Sequence, residues 1–301
     1  MTTIRPTSTA ITAVSPAITL SPTTQTIWQQ PKDIQQLNEK FIAEPRPHAL
    51  LITNHGYAGP TFPPASPDSG GQITYVNNLA TGLVEQGFKV TVATRSFTPD
   101  EQFANFGNRQ GAAFFANTPH ARYAFIPGIV DGFLPKEQIF ADIPAIGANL
   151  AKFVADEAAS QKMNPWNYVS WINSHYWDGG VVGQLLVRAW QQSAPGLEGL
   201  NKHAWNAHSI GTLKDRNMLA LPAAVRAEKL FQAQFAAMNF PMREHVERSL
   251  VGGAVNLFNG SIALFPNCPP APVLVYTSQE IHDHTRELGA PADARLVAFP
   301  P

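Results

Sequence analysis

Three short segments each set a histidine or a glycine pair beside residues able to hold an anion or a hydroxyl. The first is Ser69-Gly70-Gly71-Gln72, behind His55. The second is His175-Tyr176-Trp177-Asp178-Gly179-Gly180. The third is His208-Ser209-Ile210-Gly211, with Lys214 just after it. Lys136 and Arg243 add two further cations. Glycines let a backbone approach a ligand closely, and a following helix N-terminus offers free N–H groups. Lysine and arginine supply charge-assisted hydrogen bonds to an anionic group. No acidic cluster suggests a metal site, and one cysteine, Cys268, excludes an internal disulfide.

Each of these segments needs a strand to deliver it and a helix to carry it away. Ala49 to Ile52 reads as a buried strand ending at Asn54-His55-Gly56. A Pro-rich loop, Pro60 to Pro67, follows. Ile73, Val76, Ala80, Leu83 and Val84 then recur at helical spacing, with Gly87 as the C-terminal stop. Val90 to Thr94 makes the next strand. Strand–loop–helix–strand is the opening of a parallel sheet, so the fold class expected is α/β, a Rossmann-like doubly wound parallel sheet. Tyr123 to Ile126, Val169 to Ser174 and the stretch around Ala204-Trp205 repeat the arrangement. Ligands bind such sheets at the carboxyl ends of the strands. His55, Gly71, His175 and His208 are therefore expected on one rim.

The four segments together resemble the sucrose-phosphate synthase branch of the family 4 retaining glycosyltransferases, which have a GT-B fold. Gly70-Gly71-Gln72 with Tyr75-Val76 is similar to its acceptor loop, and Phe133-Leu134-Pro135-Lys136-Glu137 to its lysine segment. His175 to Gly180 is similar to its His-Tyr-x-Asp-Gly-Gly segment. His208-Ser209-Ile210-Gly211 with Lys214, and Arg243 with Glu247-Arg248, are similar to the loop and helix that follow. Tyr276 to Ile281 resembles the strand end before the interdomain crossover. Ala207 stands where the family has glycine, Met242 where a second basic residue is expected, and an Asn/Pro-rich insertion runs from about Asn256 to Pro272.

The resemblance implies the N-terminal, acceptor-binding half of such an enzyme, covering residues 48–301, with no C-terminal donor domain before Pro301. It implies transfer of glucose from UDP-glucose to fructose 6-phosphate with retention, without a metal or other cofactor. His208 would be the catalytic, sugar-contacting residue, acting by orientation and electrostatics. Gly70, Gly71, Gln72, Lys136, Lys214 and Arg243 would bind the acceptor, and His175, Asp178, Ser209 and Gly211 would shape the pocket. Three readings stay open: an acceptor half joined in cis to its donor half, one served by a donor domain in trans, and a non-catalytic sugar-phosphate-binding module.

Bulk properties fit this reading. The chain has 301 residues, 44% hydrophobic and 14% charged, enough for one large core. A net charge of -1 gives no long-range pull towards nucleic acid or an anionic membrane. The single cysteine suits a reducing, cytoplasmic setting. Residues 1–47 are expected to be a disordered tail and linker, because the Thr-, Pro- and Ser-rich start cannot bury enough surface to offset its ordering entropy.

Overall fold

The computed structural model describes residues 31–62, 66, 68–106, 109, 111–194, 196–197, 202–252, 273–276, 283, 286–290 and 295–298. In chain order the main elements are α1 (Pro31–Ala43), β1 (His48–Ile52), α2 (Gly71–Glu85), β2 (Lys89–Arg95), β3 (Gly111–Phe114) and β4 (Ala121–Ile126). Next come α3 (Ile143–Ser160), α4 (Pro165–Tyr168), β5 (Trp171–His175), α5 (Tyr176–Ser193) and β6 (His203–Asn206). The helices α6 (Gly211–Leu219), α7 (Ala223–Arg226), α8 (Lys229–Ala237) and α9 (Phe240–Gly252) precede β7 (Val273–Tyr276) and β8 (Arg295–Ala298).

The strands form one sheet in the order β3-β4-β2-β1-β5-β6-β7-β8. Every pairing is parallel except β3 with β4. The expected α/β, doubly wound parallel sheet is present. The order reverses at β1, which pairs with β2 on one side and β5 on the other. That reversal opens a crevice above the carboxyl ends of β1 and β5, the usual ligand position in such sheets.

Alternation along the strands sends side chains to two cores. Ala49, Leu51, Val90, Val92 and Tyr123 pack under α2 through Ile73, Val76 and Ala80. Leu50, Ile52 and Ile172 pack against α3, α5 and α9 through Ile146, Leu150, Val181, Leu186 and Leu250. Each of the fully buried Val, Leu and Ile side chains stabilises by about 1.5–3 kcal/mol relative to exposure. Gly87 (φ 88°) ends α2 as expected. The Gly87 and Phe88 N–H groups bond the Val84 and Leu83 carbonyls at 3.0 Å each, so the paired reversed bonds of the Schellman stop are both made.

Order does not begin at His48. Helix α1 lies within the stretch expected to be linker, because Ile34, Leu37 and Phe41 recur on one helical face and Phe41 is buried against the sheet. The Lys89 ammonium donates to the Phe41, Ile42 and Glu44 carbonyls at 3.1, 3.0 and 2.9 Å, satisfying the end of α1. Burial, with Arg122 nearby, pulls Lys89 down to about 8. Arg122 in turn donates to both Glu157 oxygens at 2.6 Å. This charged network closes the amino end of the sheet and leaves the carboxyl end for ligands. Residues 1–30 and the insertion at 256–272 lie outside the described residues, as do Thr277 to Ile281. Among the described residues no helix is long and apolar enough to cross a membrane.

Candidate active site

The loop leaving β1 folds back on itself. Gly56 needs its positive φ of 76° and packs on the Asp68 carbonyl, where any Cβ would collide. The Tyr57 N–H donates to Ser69 Oγ at 2.8 Å. Asp68, Ser69 and Gly70 thus stand directly over β1. Helix α2 starts at Gly71 with no side-chain cap on its N-terminus. A Cβ at Gly70 or Gly71 would meet nothing within 4 Å, so packing within the described chain does not demand glycine at either position. Gln72 Nε2 donates to Thr53 Oγ1 at 2.9 Å, which ties the first turn of α2 to the end of β1.

The loop after β4 brings Lys136. It is anchored below by a buried pair: Arg95 Nε donates to Asp142 Oδ2 at 2.6 Å, and Asp142 Oδ1 accepts the Ile129 and Val130 N–H groups at 3.0 and 3.1 Å. Above, Phe133 stacks on Tyr57 with ring centroids 5.1 Å apart. Lys136 donates to Asp68 through both its backbone N–H, at 2.9 Å, and its ammonium. Burial alone would raise the Asp68 carboxyl; the two bonds from Lys136 outweigh it and hold it below the usual carboxylate range.

Histidines fill the centre. His55 Nδ1 lies 3.0 and 3.1 Å from the two oxygens of Asp178, in the first turn of α5. His175 Nδ1 lies 2.9 Å from His208 Nε2. Tyr75 of α2 meets both of these rings edge-on, at 5.7 and 5.1 Å between centroids. Burial holds His175 well below the ordinary histidine value and His208 at about 3, so both rings are neutral at physiological pH.

The loop after β6 is braced from behind by α9. Arg243 Nη2 donates to the Ser209 carbonyl and to Ser209 Oγ, both at 2.9 Å, and its Nε donates to Glu247 Oε1 at 2.9 Å. Glu247 accepts the Gly211 N–H at 3.0 and 2.7 Å. A Cβ at Gly211 would fall 2.9 Å from the Arg243 side chain, so glycine is required there. The guanidinium also lies 4.5 Å from the centre of the Tyr176 ring. Arg243, expected among the acceptor contacts, thus spends these bonds on the protein. Lys214 is half-buried. Among the described residues its ammonium makes no hydrogen bond or ion pair, and burial together with Lys136 and Arg243 lowers its pKa.

The chain aligns with mannosylfructose-phosphate synthase of Agrobacterium fabrum at 30% identity over 205 residues, 68% of this chain and 37% of that one. It aligns with the D-inositol 3-phosphate glycosyltransferase of Corynebacterium jeikeium at 29% over 168 residues, 56% of this chain and 33% of that one. The chain is a homologue of the retaining family 4 glycosyltransferases. It spans about a third of the length of these two glycosyltransferases. The fold matches sucrose-phosphate synthase from Thermosynechococcus elongatus with a TM-score of 0.55 at 17% identity, over 85% of this chain and 48% of that one. No protein-family model matches the chain.

In this glycosyltransferase homologue, the segments singled out from sequence do meet. The Gly70–Gln72 turn, His175, Asp178 and the His208–Lys214 loop stand at the carboxyl ends of the adjacent strands β1, β5 and β6, and Lys136 reaches them from the loop after β4, on the far side of β2. Gly179 and Gly180 serve packing instead: a Cβ would lie 2.8 Å from the Ile52 carbonyl oxygen in the first case and 2.7 Å from Leu250 in the second. Sequence reading missed the counter-ions. Asp68 and Glu247 neutralise two of the three expected anion-binding cations. Glu247 had a signal, its i,i+4 spacing from Arg243 on one helix. Asp68 had none, since its partner is distant in sequence. Backbone strain also marks the rim. Among the described residues, Asp68, Tyr176 and His208 all have positive φ (53°, 63° and 51°), a conformation that costs a non-glycine residue about 1–3 kcal/mol.

Proposed function

We propose that the chain is the acceptor-binding half of a retaining glycosyltransferase whose acceptor carries a phosphate group, with glucose passing from UDP-glucose to the 2-hydroxyl of fructose 6-phosphate. The observation that carries this reading is Lys214, a half-buried cation that makes no hydrogen bond or ion pair among the described residues and feels Lys136 and Arg243 more strongly than the carboxylates of Glu137 and Asp68. A phosphate dianion supplies the missing partner. The names of the related enzymes agree on a phosphorylated sugar or polyol. In this reading Gly70 and Gly71 let the sugar approach the N-terminus of α2, and Gln72 offers it a carboxamide. Lys136 sets the edge of the site through Asp68. His208 contacts the transferred sugar. Arg243 is a positioning residue that holds the His208 loop. UDP-glucose binds on a donor domain supplied in cis or in trans.

Ligand-observed NMR with fructose 6-phosphate and with fructose tests the phosphate assignment. Tighter binding of the phosphosugar supports it. Equal affinity removes it.

A further inference from the structure

We infer that His175 is a positioning residue that fixes the proton of His208 on Nδ1. The two rings face each other through His175 Nδ1 and His208 Nε2, 2.9 Å apart. They are tilted by only 32°, so the lone pair of one nitrogen points near the N–H of the other. A single proton occupies that contact, because burial keeps both rings neutral. The direction of donation follows from the other end of His175. Its Nε2 is fully enclosed and has no hydrogen-bond partner among the described residues. A proton there would leave an orphaned buried N–H, and orphaned N–H groups are rarer than under-satisfied acceptors. The His175 proton therefore sits on Nδ1 and is donated to His208 Nε2. His208 is left with its own proton on Nδ1, its remaining ring nitrogen.

The surroundings hold both partners in register. Tyr75 packs edge-on against the two rings. The left-handed backbone at Tyr176 and at His208 sets the side chains where they meet. The Trp205 indole N–H fixes the Tyr176 carbonyl at 2.8 Å, and Arg243 and Glu247 fix Ser209 and Gly211. The consequence for chemistry is that His208 offers a sugar oxygen an N–H donor. The opposite tautomer would offer a lone pair. That use rests on reading His208 as the sugar-contacting residue; the tautomer itself does not.

Two-bond proton–nitrogen NMR correlation on the full chain, labelled with nitrogen-15 histidine, measures the tautomers without any sugar present. His175→Asn and His208→Gln assign the signals. The expected spectrum has His208 protonated at Nδ1 and bare at Nε2, with His175 protonated at Nδ1. His175→Leu should shift the His208 proton to Nε2. His175→Asn, whose amide can replace the Nδ1–H, should keep it on Nδ1. A wild-type His208 protonated at Nε2, or a His208 tautomer unchanged by His175→Leu in a folded variant, overturns the inference. If the tautomers are as expected but no sugar phosphate binds, only the functional reading fails.

Discussion

Arg243 and Glu247 face each other across one helical turn of α9 at 2.9 Å, both buried, and together hold the loop that carries His208. Removing either partner strands the other charge in the core, which typically costs about 3–5 kcal/mol. Glu247→Ala and Arg243→Ala should each lower unfolding stability by about that amount. The double variant Arg243→Met with Glu247→Leu should cost less than either single change, because no charge is left unpaired. Urea denaturation of the three variants checks this. A Glu247→Ala variant as stable as the wild type would mean that the pair does not brace the loop.

Histidines that burial keeps neutral set the acid limit of the fold. His48, His175 and His203 are all enclosed, and burial lowers each below the ordinary value, His203 to about 3. A lowered folded-state pKa means that the stability is fully present above the unfolded value of about 6.5 and is lost as pH falls. With His208, which burial also lowers to about 3, up to four protons then favour the unfolded chain, a slope of about 5 kcal/mol per pH unit once all four titrate. Against a total stability of about 5–15 kcal/mol, cooperative unfolding should occur well above pH 3. Circular dichroism across pH 7 to 3 would show it; a signal flat down to pH 3.5 would contradict the argument.

What could be read from sequence was set by local pattern. The β1–α2–β2 unit follows from the apolar run Ala49 to Ile52, the 3.6-residue recurrence from Ile73 and the stop at Gly87. The rim position of His55, His175 and His208 followed because each lies at a strand end. Burial partners were not legible. Lys136 and Lys214 look alike in sequence, yet one is neutralised by Asp68 and the other has no ion pair among the described residues. The 68-residue separation of Lys136 from Asp68 leaves no periodic trace. Helix α1 was hidden because its single apolar stripe is short, and its docking depends on Lys89, 46 residues after Ala43. The Gly179-Gly180 pair lets α5 lie close on β1 and Trp205, contacts that its sequence does not announce.

Lys214→Ala should weaken fructose 6-phosphate by about tenfold or more, the worth of one charge-assisted hydrogen bond of about 1.5–3 kcal/mol. Free fructose should be nearly unaffected. With wild-type affinity of about millimolar, roughly 4 kcal/mol, a tenfold loss takes the variant to the edge of detection, so a parallel titration with inorganic phosphate reports the anion contact directly. Loss of both sugars together would point to collapse of the loop after β6 instead of loss of a phosphate contact.

Gly71→Ala and Gly179→Ala separate ligand approach from packing. At Gly71 a Cβ enters open space at the first turn of α2, and the backbone has no positive φ to preserve. Alanine there should leave stability unchanged or raise it by about 0.4–1 kcal/mol, since it lowers the entropy of the unfolded chain. If a sugar approaches this turn, the same methyl group should still cut fructose 6-phosphate binding at least several-fold. At Gly179 the Cβ would sit 2.8 Å from the Ile52 carbonyl oxygen, a backbone atom that cannot swing aside. Alanine there should destabilise by about 1–3 kcal/mol through overpacking of α5 on the sheet. Thermal unfolding and sugar titration of the two variants give four readings. A Gly71→Ala chain that is stable and binds the phosphosugar as well as the wild type would exclude the N-terminus of α2 from the acceptor site.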